Sequence, residues 1–91
     1  MNLTHRTSVR VRYAETDQMG VVYHSNYIVW FEVGRAEFLR SFGLAYTNFE
    51  KEGLGVVVVE VNCRYRRPAN YDDLLWIETS LVDISPRKLT F

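Results

Sequence analysis

The alternation of apolar and polar side chains changes its period along the chain, and these changes divide the chain into elements. Residues 7–13 carry apolar side chains at every second position, which predicts a first β-strand. Residues 14–25 have no sustained period and contain Gly20, so they predict a loop longer than most connections in a compact domain. Long loops of this kind often carry functional residues.

A helical period follows the loop. From Tyr27 the apolar residues recur at steps of three and four without an intervening proline, which predicts a helix of about four turns. Ser25 or Asn26 can cap its start, and Gly43 supplies a left-handed stop at its end. Gly34 in the interior costs about 1 kcal/mol relative to alanine, which indicates close packing against another backbone. The apolar positions that define the period are Ile28, Phe31, Phe38, Leu39 and Phe42.

Three further strands are predicted after the helix. Residues 56–67 alternate apolar side chains with charged or amide side chains, and Pro68 ends the alternation. Residues 74–84 predict the next strand, and a turn at residues 85–87 leads into a last strand at residues 88–91. One helix followed by strands with short connections favours an α+β fold, in which the helix packs on an antiparallel sheet.

Composition narrows the class of protein. The 91 residues, of which 47% are hydrophobic and 24% charged, predict one soluble domain spanning residues 1–91. A chain of this size buries only about 60 to 65% of its unfolded surface, so we expect a homo-oligomer. Zero net charge gives no overall attraction to nucleic acid, and no apolar run approaches a transmembrane length. The single cysteine and a start without a secretion signal predict a cytoplasmic protein.

One block of the sequence is more specific than these patterns. Residues 17–27, which read DQMGVVYHSNY, together with Phe31-Glu32 and residues 35–40, resemble the 4-hydroxybenzoyl-CoA thioesterase family, especially its Tol-Pal-associated acyl-CoA thioesterase branch. Residues 61–77 are similar to the next segment of that family. The resemblance implies the hotdog fold, a curved antiparallel sheet wrapped around a long helix, assembled as homodimers or homotetramers. Family members continue for at least two further strands, so we expect a domain that is incomplete at its C-terminus.

The resemblance also implies hydrolysis of a small acyl-CoA without a cofactor or metal. It assigns Asp17 as the catalytic carboxylate and the backbone amide of His24 to the oxyanion hole. The residues themselves support such a site, because the first turn of a helix leaves unpaired N–H groups at its positive end. The amides of Tyr23, His24 or their neighbours can therefore stabilise an oxyanion, with Gly20 setting the loop backbone and Asn26 at the helix start. Asp17 attacks the thioester directly or activates water, and the sequence leaves both routes open.

Each candidate also has a structural interpretation. An aspartate ahead of a glycine is commonly a turn residue, and the His24 ring has about even odds of bonding only backbone. Three arginines, Arg64, Arg66 and Arg67, form a basic patch suited to the phosphates of CoA, although protection of a strand edge explains them equally well. The histidines and the cysteine have no zinc-ligand spacing.

Two other functions compete with hydrolysis. A hotdog dehydratase would act on 3-hydroxyacyl thioesters, but that chemistry favours a histidine paired with a carboxylate. In this chain Asp17 lies in the loop before the helix, as in the thioesterases that the sequence resembles. A non-catalytic module that binds acyl-CoA or acyl carrier protein belongs to a different class. Release of free thiol from acyl-CoAs separates a hydrolase from such a binder.

Overall fold

A computed structural model describes residues 3–43, 58–85 and 88–91 of the chain. Within these ranges a single long helix packs against an antiparallel pair of strands, and a short hairpin follows, which is the α+β arrangement that the sequence predicts. The elements in chain order are strand β1 (Thr4–Arg10), a 3-10 turn (Tyr13–Glu15), helix α1 (Ser25–Ser41), and strands β2 (Leu74–Ser80), β3 (Asp83–Ser85) and β4 (Lys88–Thr90).

The two strand pairs have simple registers. Strands β1 and β2 run antiparallel, with Thr4 opposite Ser80 and Arg10 opposite Leu74. In β1 and β2 the side chains alternate between exposed and at least half-buried, so one face of this pair covers α1. Strands β3 and β4 form the hairpin, with Ile84 opposite Leu89.

Helix α1 turns one row of residues toward the strands. Trp30, Gly34 and Phe38, spaced by four residues, are buried together with Leu39. A Cβ atom built on Gly34 would lie 2.5 Å from Cγ2 of Ile77 and 2.6 Å from Oγ1 of Thr79. The predicted close packing at Gly34 is therefore confirmed, although the contact is with side chains of β2 and not with another backbone.

A small core lies beneath the loop that precedes the helix. Val11, Val22, Trp30 and Ala69 are each at most 6% exposed and form one cluster. These residues come from the end of β1, the loop, the helix and the turn before β2. Their packing fixes the loop against the first turns of α1.

The C-terminal end of helix α1 lies where it was predicted, but the N-terminal capping and the buried face of the helix differ from the prediction. The helix begins at Ser25 with His24 as N-cap, and no side chain caps it, so the predicted capping by Ser25 or Asn26 is wrong. At the other end Gly43 has φ 77° and its N–H donates to the Arg40 carbonyl at 3.0 Å, as the predicted left-handed stop requires. The apolar positions Phe31 and Phe42 are 44% and 47% exposed instead of buried.

Two strand predictions need correction. The first strand begins and ends three residues earlier than predicted, and Tyr13 lies in the 3-10 turn with 78% of its surface exposed. Residues 58–67 do not form the predicted strand, because no strand of the described part pairs with them; residues 56 and 57 lie outside it. These residues instead bring Tyr65 to the helix start, where its hydroxyl donates to the His24 carbonyl at 3.2 Å.

The strand predicted at residues 74–84 is divided into β2 and β3. The Leu81 N–H donates to the Leu3 carbonyl, whereas the Val82 N–H donates to the Thr90 carbonyl. The hydrogen bonds up to Leu81 are therefore made with the β1 side, and those from Val82 onward are made with β4. The strand ladder is interrupted between these two residues. Strand β4 is confirmed, while most of the turn predicted before it falls outside the described residues. No helix in the described ranges is long and apolar enough to cross a membrane.

Candidate active site

Asp17 lies in a tight turn held by three hydrogen bonds. Its N–H donates to the Val21 carbonyl at 2.9 Å, and its carbonyl accepts the Gly20 N–H at 3.0 Å. Its side-chain Oδ1 accepts the Met19 N–H at 2.8 Å. Gly20 has φ +79°, the left-handed conformation that its predicted role in the loop backbone requires. Among the described residues, Oδ2 of Asp17 has no hydrogen-bond partner.

This turn faces the helix start across an open cleft of about 650 Å³, which we call the first cleft. It brings together three of the predicted site residues, Asp17, Tyr23 and Asn26. Its complete lining consists of Tyr13, Ala14, Thr16, Asp17, Gln18, Tyr23, Ser25 and Asn26. The predicted carboxylate and the helix N-terminus therefore share one cavity.

The backbone amides at the helix start are not equivalent. The Tyr23 N–H donates to the Glu15 carbonyl at 2.8 Å, so this amide is already occupied. The amides of His24 and Ser25 have no backbone acceptor among the described residues. Both lie at the positive end of the helix dipole, where an anion or a developing negative charge is stabilised. The donors available to an oxyanion are thus the amides of His24 and Ser25.

A second cleft of about 240 Å³ is lined by a different set of residues around the helix start. It is lined by Val22, His24, Tyr27, Tyr65, Arg66, Arg67 and Pro68. The exposed His24 ring lies 4.4 Å from the Tyr23 ring and 6.2 Å from the Tyr65 ring, centroid to centroid. The second cleft therefore combines two arginines, a histidine and aromatic rings, whereas Arg64 and Gly20 line neither cleft.

Tyr65 connects the second cleft to the helix. A hydrogen bond with Cys63 is the largest of the effects that raise the pKa of Tyr65. A phenol is in any case protonated at neutral pH, so Tyr65 can donate to the His24 carbonyl. This bond secures the segment that carries Arg66 and Arg67 against the first residue before the helix.

Glu15, two residues before Asp17, is a buried carboxylate that the sequence patterns do not reveal. Its Oε1 accepts the Arg12 N–H at 2.8 Å and its Oε2 accepts the Trp30 indole N–H at 3.2 Å. Burial alone raises the pKa of Glu15, but these hydrogen bonds and the Arg12 guanidinium 3.5 Å away outweigh it and hold the pKa below its ordinary value. The one sequence signal for Glu15 is its position three residues after Arg12. Many exposed ion pairs have the same spacing, so this signal does not distinguish a buried carboxylate.

The structure thus places a carboxylate in a tight turn beside the start of a long helix, and antiparallel strands pack on that helix. Residues 11–91 match the thioesterase-like superfamily. The chain belongs to this superfamily, and the resemblance found in its sequence is confirmed.

Three relatives illustrate the match. The acyl-CoA thioester hydrolase YbgC of Escherichia coli is 37% identical over 92 residues, which cover 100% of this chain and 69% of that protein. The crystal structure of hypothetical protein TT1821 from Thermus thermophilus has a TM-score of 0.91 at 43% identity, covering 94% of this chain and 66% of that one. The 4-hydroxybenzoyl-CoA thioesterase of a Pseudomonas strain has a TM-score of 0.81 at 25% identity, covering 90% and 61%. These neighbours confirm the hotdog fold, and the chain spans about two thirds of each relative.

Proposed function

We propose that this chain carries the active-site segment of an acyl-CoA thioesterase, in which Asp17 and the amides of His24 and Ser25 act on the thioester carbonyl. The observation that carries the proposal is the first cleft, which joins the Asp17 turn to the helix start at Ser25. The amides of Ser25 and of the adjacent His24, a residue that lines the second cleft, have no backbone acceptor in the described part of the chain. The names of the relatives support an acyl-CoA as the substrate.

The geometry suggests how the charge would be handled. As the carbonyl carbon becomes tetrahedral, its oxygen gains negative charge, which amide donors at the helix start stabilise; losing one such donor typically costs about 2.7 to 4 kcal/mol. In one route an Asp17 oxygen attacks the carbonyl carbon, the C–S bond breaks, and water hydrolyses the resulting anhydride. In the other route Asp17 takes a proton from water, and the hydroxide attacks while the CoA thiolate leaves.

The second cleft is the proposed place for the CoA phosphates. Arg66 and Arg67 line it beside His24, and guanidinium groups bind phosphate through paired hydrogen bonds. Both clefts are lined by residues of the helix start, so the proposed thioester has its acyl group in the first cleft and its CoA portion at these arginines. In this proposal the exposed His24 ring contacts the CoA portion, and its backbone amide contacts the oxyanion.

One observation favours the alternative of a non-catalytic acyl-CoA-binding module. The Asp17 carboxylate already accepts the Met19 N–H, which is the ordinary role of an aspartate in a turn. A binder needs this turn and the two clefts but no free carboxylate oxygen. Measurement of thiol release decides between the two functions.

The test is release of free CoA from aliphatic, hydroxybenzoyl and other aromatic acyl-CoAs by the wild type and by Asp17→Asn. Asparagine keeps the side-chain oxygen that accepts the Met19 N–H, so the turn persists while the charge is lost. We expect kcat to fall by about 100-fold or more, with little change in the melting temperature. Met19→Leu, at a side chain that is 85% exposed and outside both clefts, is the matched control.

Near-normal turnover by Asp17→Asn would remove Asp17 from the chemistry. A wild type that binds acyl-CoA but releases no thiol from any member of the panel is instead the binding module. Formation of an enoyl thioester from a 3-hydroxyacyl-CoA without thiol release would identify the dehydratase alternative.

A further inference from the structure

Glu15 is a buried carboxylate that lies two residues before Asp17 and outside both clefts. Only 8% of its surface is exposed, and two N–H donors, one from the backbone of Arg12 and one from the indole of Trp30, bond its two oxygens. Arg12 follows strand β1 by two residues, and Trp30 lies in the second turn of α1. The side chain of Glu15 therefore ties the end of the strand to the buried face of the helix.

The backbone of the same residue ties the loop to the helix start. The Glu15 carbonyl accepts the Tyr23 N–H at 2.8 Å and the Asn26 side-chain N–H at 2.9 Å. These two donors flank His24 and Ser25, whose amides are the proposed oxyanion donors. Together with its own N–H, which donates to the Arg12 carbonyl at 3.0 Å, Glu15 makes five hydrogen bonds, and they link the residues after β1 to the start and the second turn of α1.

We infer that Glu15 is a positioning residue that sets the separation between the Asp17 carboxylate and the amides of His24 and Ser25. The inference rests on the proposed thioesterase function. Because Arg12 and Trp30 hold the side chain of Glu15, the backbone carbonyl of Glu15 has a fixed position. The helix start is bonded to this carbonyl, and the Asp17 turn follows Glu15 in the chain. The helix start and the Asp17 turn are therefore fixed relative to each other. A displacement of about 1 Å between reacting groups can cost about 100-fold in rate, so this anchoring acts on the chemical step.

The same contacts predict which kinetic constant changes. None of these five hydrogen bonds goes to a residue of the second cleft, the proposed site of the CoA phosphates. Loss of the Glu15 anchor should therefore lower kcat and leave KM nearly unchanged. Substitution of a residue with a purely structural role would lower the apparent kcat only in proportion to the fraction of unfolded protein.

The central variant is Glu15→Gln, which keeps the size of the side chain. Its NH₂ group must face either the Arg12 N–H or the Trp30 indole N–H, so one donor meets another donor. We expect kcat to fall by about 10- to 100-fold and KM to stay within about threefold. Phe38→Leu, a substitution at a buried residue in the distal half of α1, is the matched control, because it destabilises the fold away from the site and should leave kcat unchanged.

A second substitution tests the mechanism of the loss. Trp30→Phe removes one of the two donors and leaves the bond to Arg12, so a smaller loss of kcat is expected. In the double variant Glu15→Gln/Trp30→Phe the amide oxygen can accept the Arg12 N–H while the NH₂ group faces no donor. Its kcat should recover toward that of Trp30→Phe, whereas no recovery overturns the proposed anchoring.

Amide hydrogen exchange of Tyr23 gives a measurement that does not depend on activity. If Glu15 fixes its own carbonyl, exchange at Tyr23 should be about tenfold faster or more in Glu15→Gln and unchanged in Phe38→Leu at equal global stability. A kcat for Glu15→Gln within twofold of the wild type, or equal to that of Phe38→Leu, overturns the inference. If the wild type releases no thiol, the proposed function fails, and Tyr23 exchange alone decides: faster exchange supports the anchoring and unchanged exchange refutes it.

Discussion

Glu15 and Asp17 lie in different surroundings although one residue separates them. Asp17 is half-buried, lines the first cleft and has one oxygen without a partner among the described residues. Glu15 is buried and both of its oxygens accept hydrogen bonds. An oxygen that must react needs a free lone pair and access to substrate, whereas an oxygen that fixes structure needs saturated bonding, so the two side chains are suited to different tasks.

The surroundings of Glu15 predict how stability depends on pH. Since its pKa in the folded state lies below the ordinary value of 4.5, the carboxylate contributes stability above that pH, and the contribution is lost as pH falls through the folded-state pKa. Hydrogen bonds to a charged group are worth about 1.5 to 3 kcal/mol, so we expect the wild type to exceed Glu15→Gln by about that amount at pH 7. Urea unfolding of both proteins should show this difference shrinking below about pH 4.

A difference in unfolding free energy that stays constant from pH 7 to pH 3 would contradict this origin. Thr16→Val is a suitable control, because its hydroxyl donates to the Tyr13 carbonyl in the same turn but does not titrate. Its effect on stability should be the same across this pH range.

The three arginines of the basic patch should differ in their effect on substrate affinity. Arg66 and Arg67 line the second cleft, whereas Arg64 does not. We expect Arg66→Ala and Arg67→Ala to raise KM for acyl-CoA by about 5- to 50-fold each, with kcat little changed, because a phosphate contact far from the thioester contributes uniform binding. Arg64→Ala is the matched control and should leave KM unchanged. Equal effects of all three substitutions would indicate general electrostatic attraction instead of a phosphate site.

Individual elements differ in how far the sequence predicts them. The end of α1 follows from Gly43, whose left-handed conformation depends on local sterics alone, whereas the helix begins at Ser25, two residues before the period that starts at Tyr27. The buried face was harder to predict, because the first two turns are apolar on most sides and Gly34, the closest point to β2, carries no hydrophobic signal. The segment at residues 58–67 has the alternation of a strand, but alternation cannot supply a pairing partner.

The contact between α1 and β2 predicts the effect of Gly34→Ala. A helical alanine gains about 1 kcal/mol over glycine in propensity, but a Cβ placed 2.5 Å from Ile77 and 2.6 Å from Thr79 forces the helix and strand apart. Overpacking typically costs about 1 to 3 kcal/mol or more, so we expect net destabilisation measured by thermal and urea unfolding. Gly43→Ala, which meets no atom within 4 Å, should lose stability only through its positive φ.

A double-mutant cycle separates the clash from other effects. Ile77→Ala removes the Cγ2 atom that the new methyl group would meet, so Gly34→Ala should be less destabilising in that background. If the two losses of unfolding free energy are additive, the close approach of helix and strand is not their cause.

At the scale of the whole molecule, the site depends on contacts between distant parts of the sequence. The turn at Asp17 and the helix start are neighbours in the chain, and the block of residues 17–27 identifies both. By contrast, Tyr65 meets His24 across 41 residues and Ala69 bonds the Tyr27 hydroxyl across 42. No local pattern contains such pairings, and therefore the division of the candidate site into two clefts could be found only from the structure.

The distribution of apolar side chains predicts the state of association. Among the described residues, 18 large hydrophobic side chains are exposed, whereas six hydrophobic residues form the core. Two exposed groups lie on different elements: Val29, Phe31 and Val33 on α1, and Leu74 and Trp76 on one face of β2. Large exposed apolar patches in soluble proteins commonly mark surfaces that other protein segments or subunits cover, and we predict that a second copy of the chain covers one of these two groups.

We therefore expect light scattering after gel filtration to give at least twice the chain mass of 10.7 kDa at about 50 µM protein. Phe31→Lys places a charge among the exposed apolar residues of α1, and Trp76→Lys places one on the exposed face of β2; a charge buried in an interface opposes association. The variant that reduces the mass toward 10.7 kDa identifies the face that forms the interface, and the other variant serves as its control. A wild type that elutes as a monomer at this concentration would contradict the prediction, because both faces would then be stable in water without a partner.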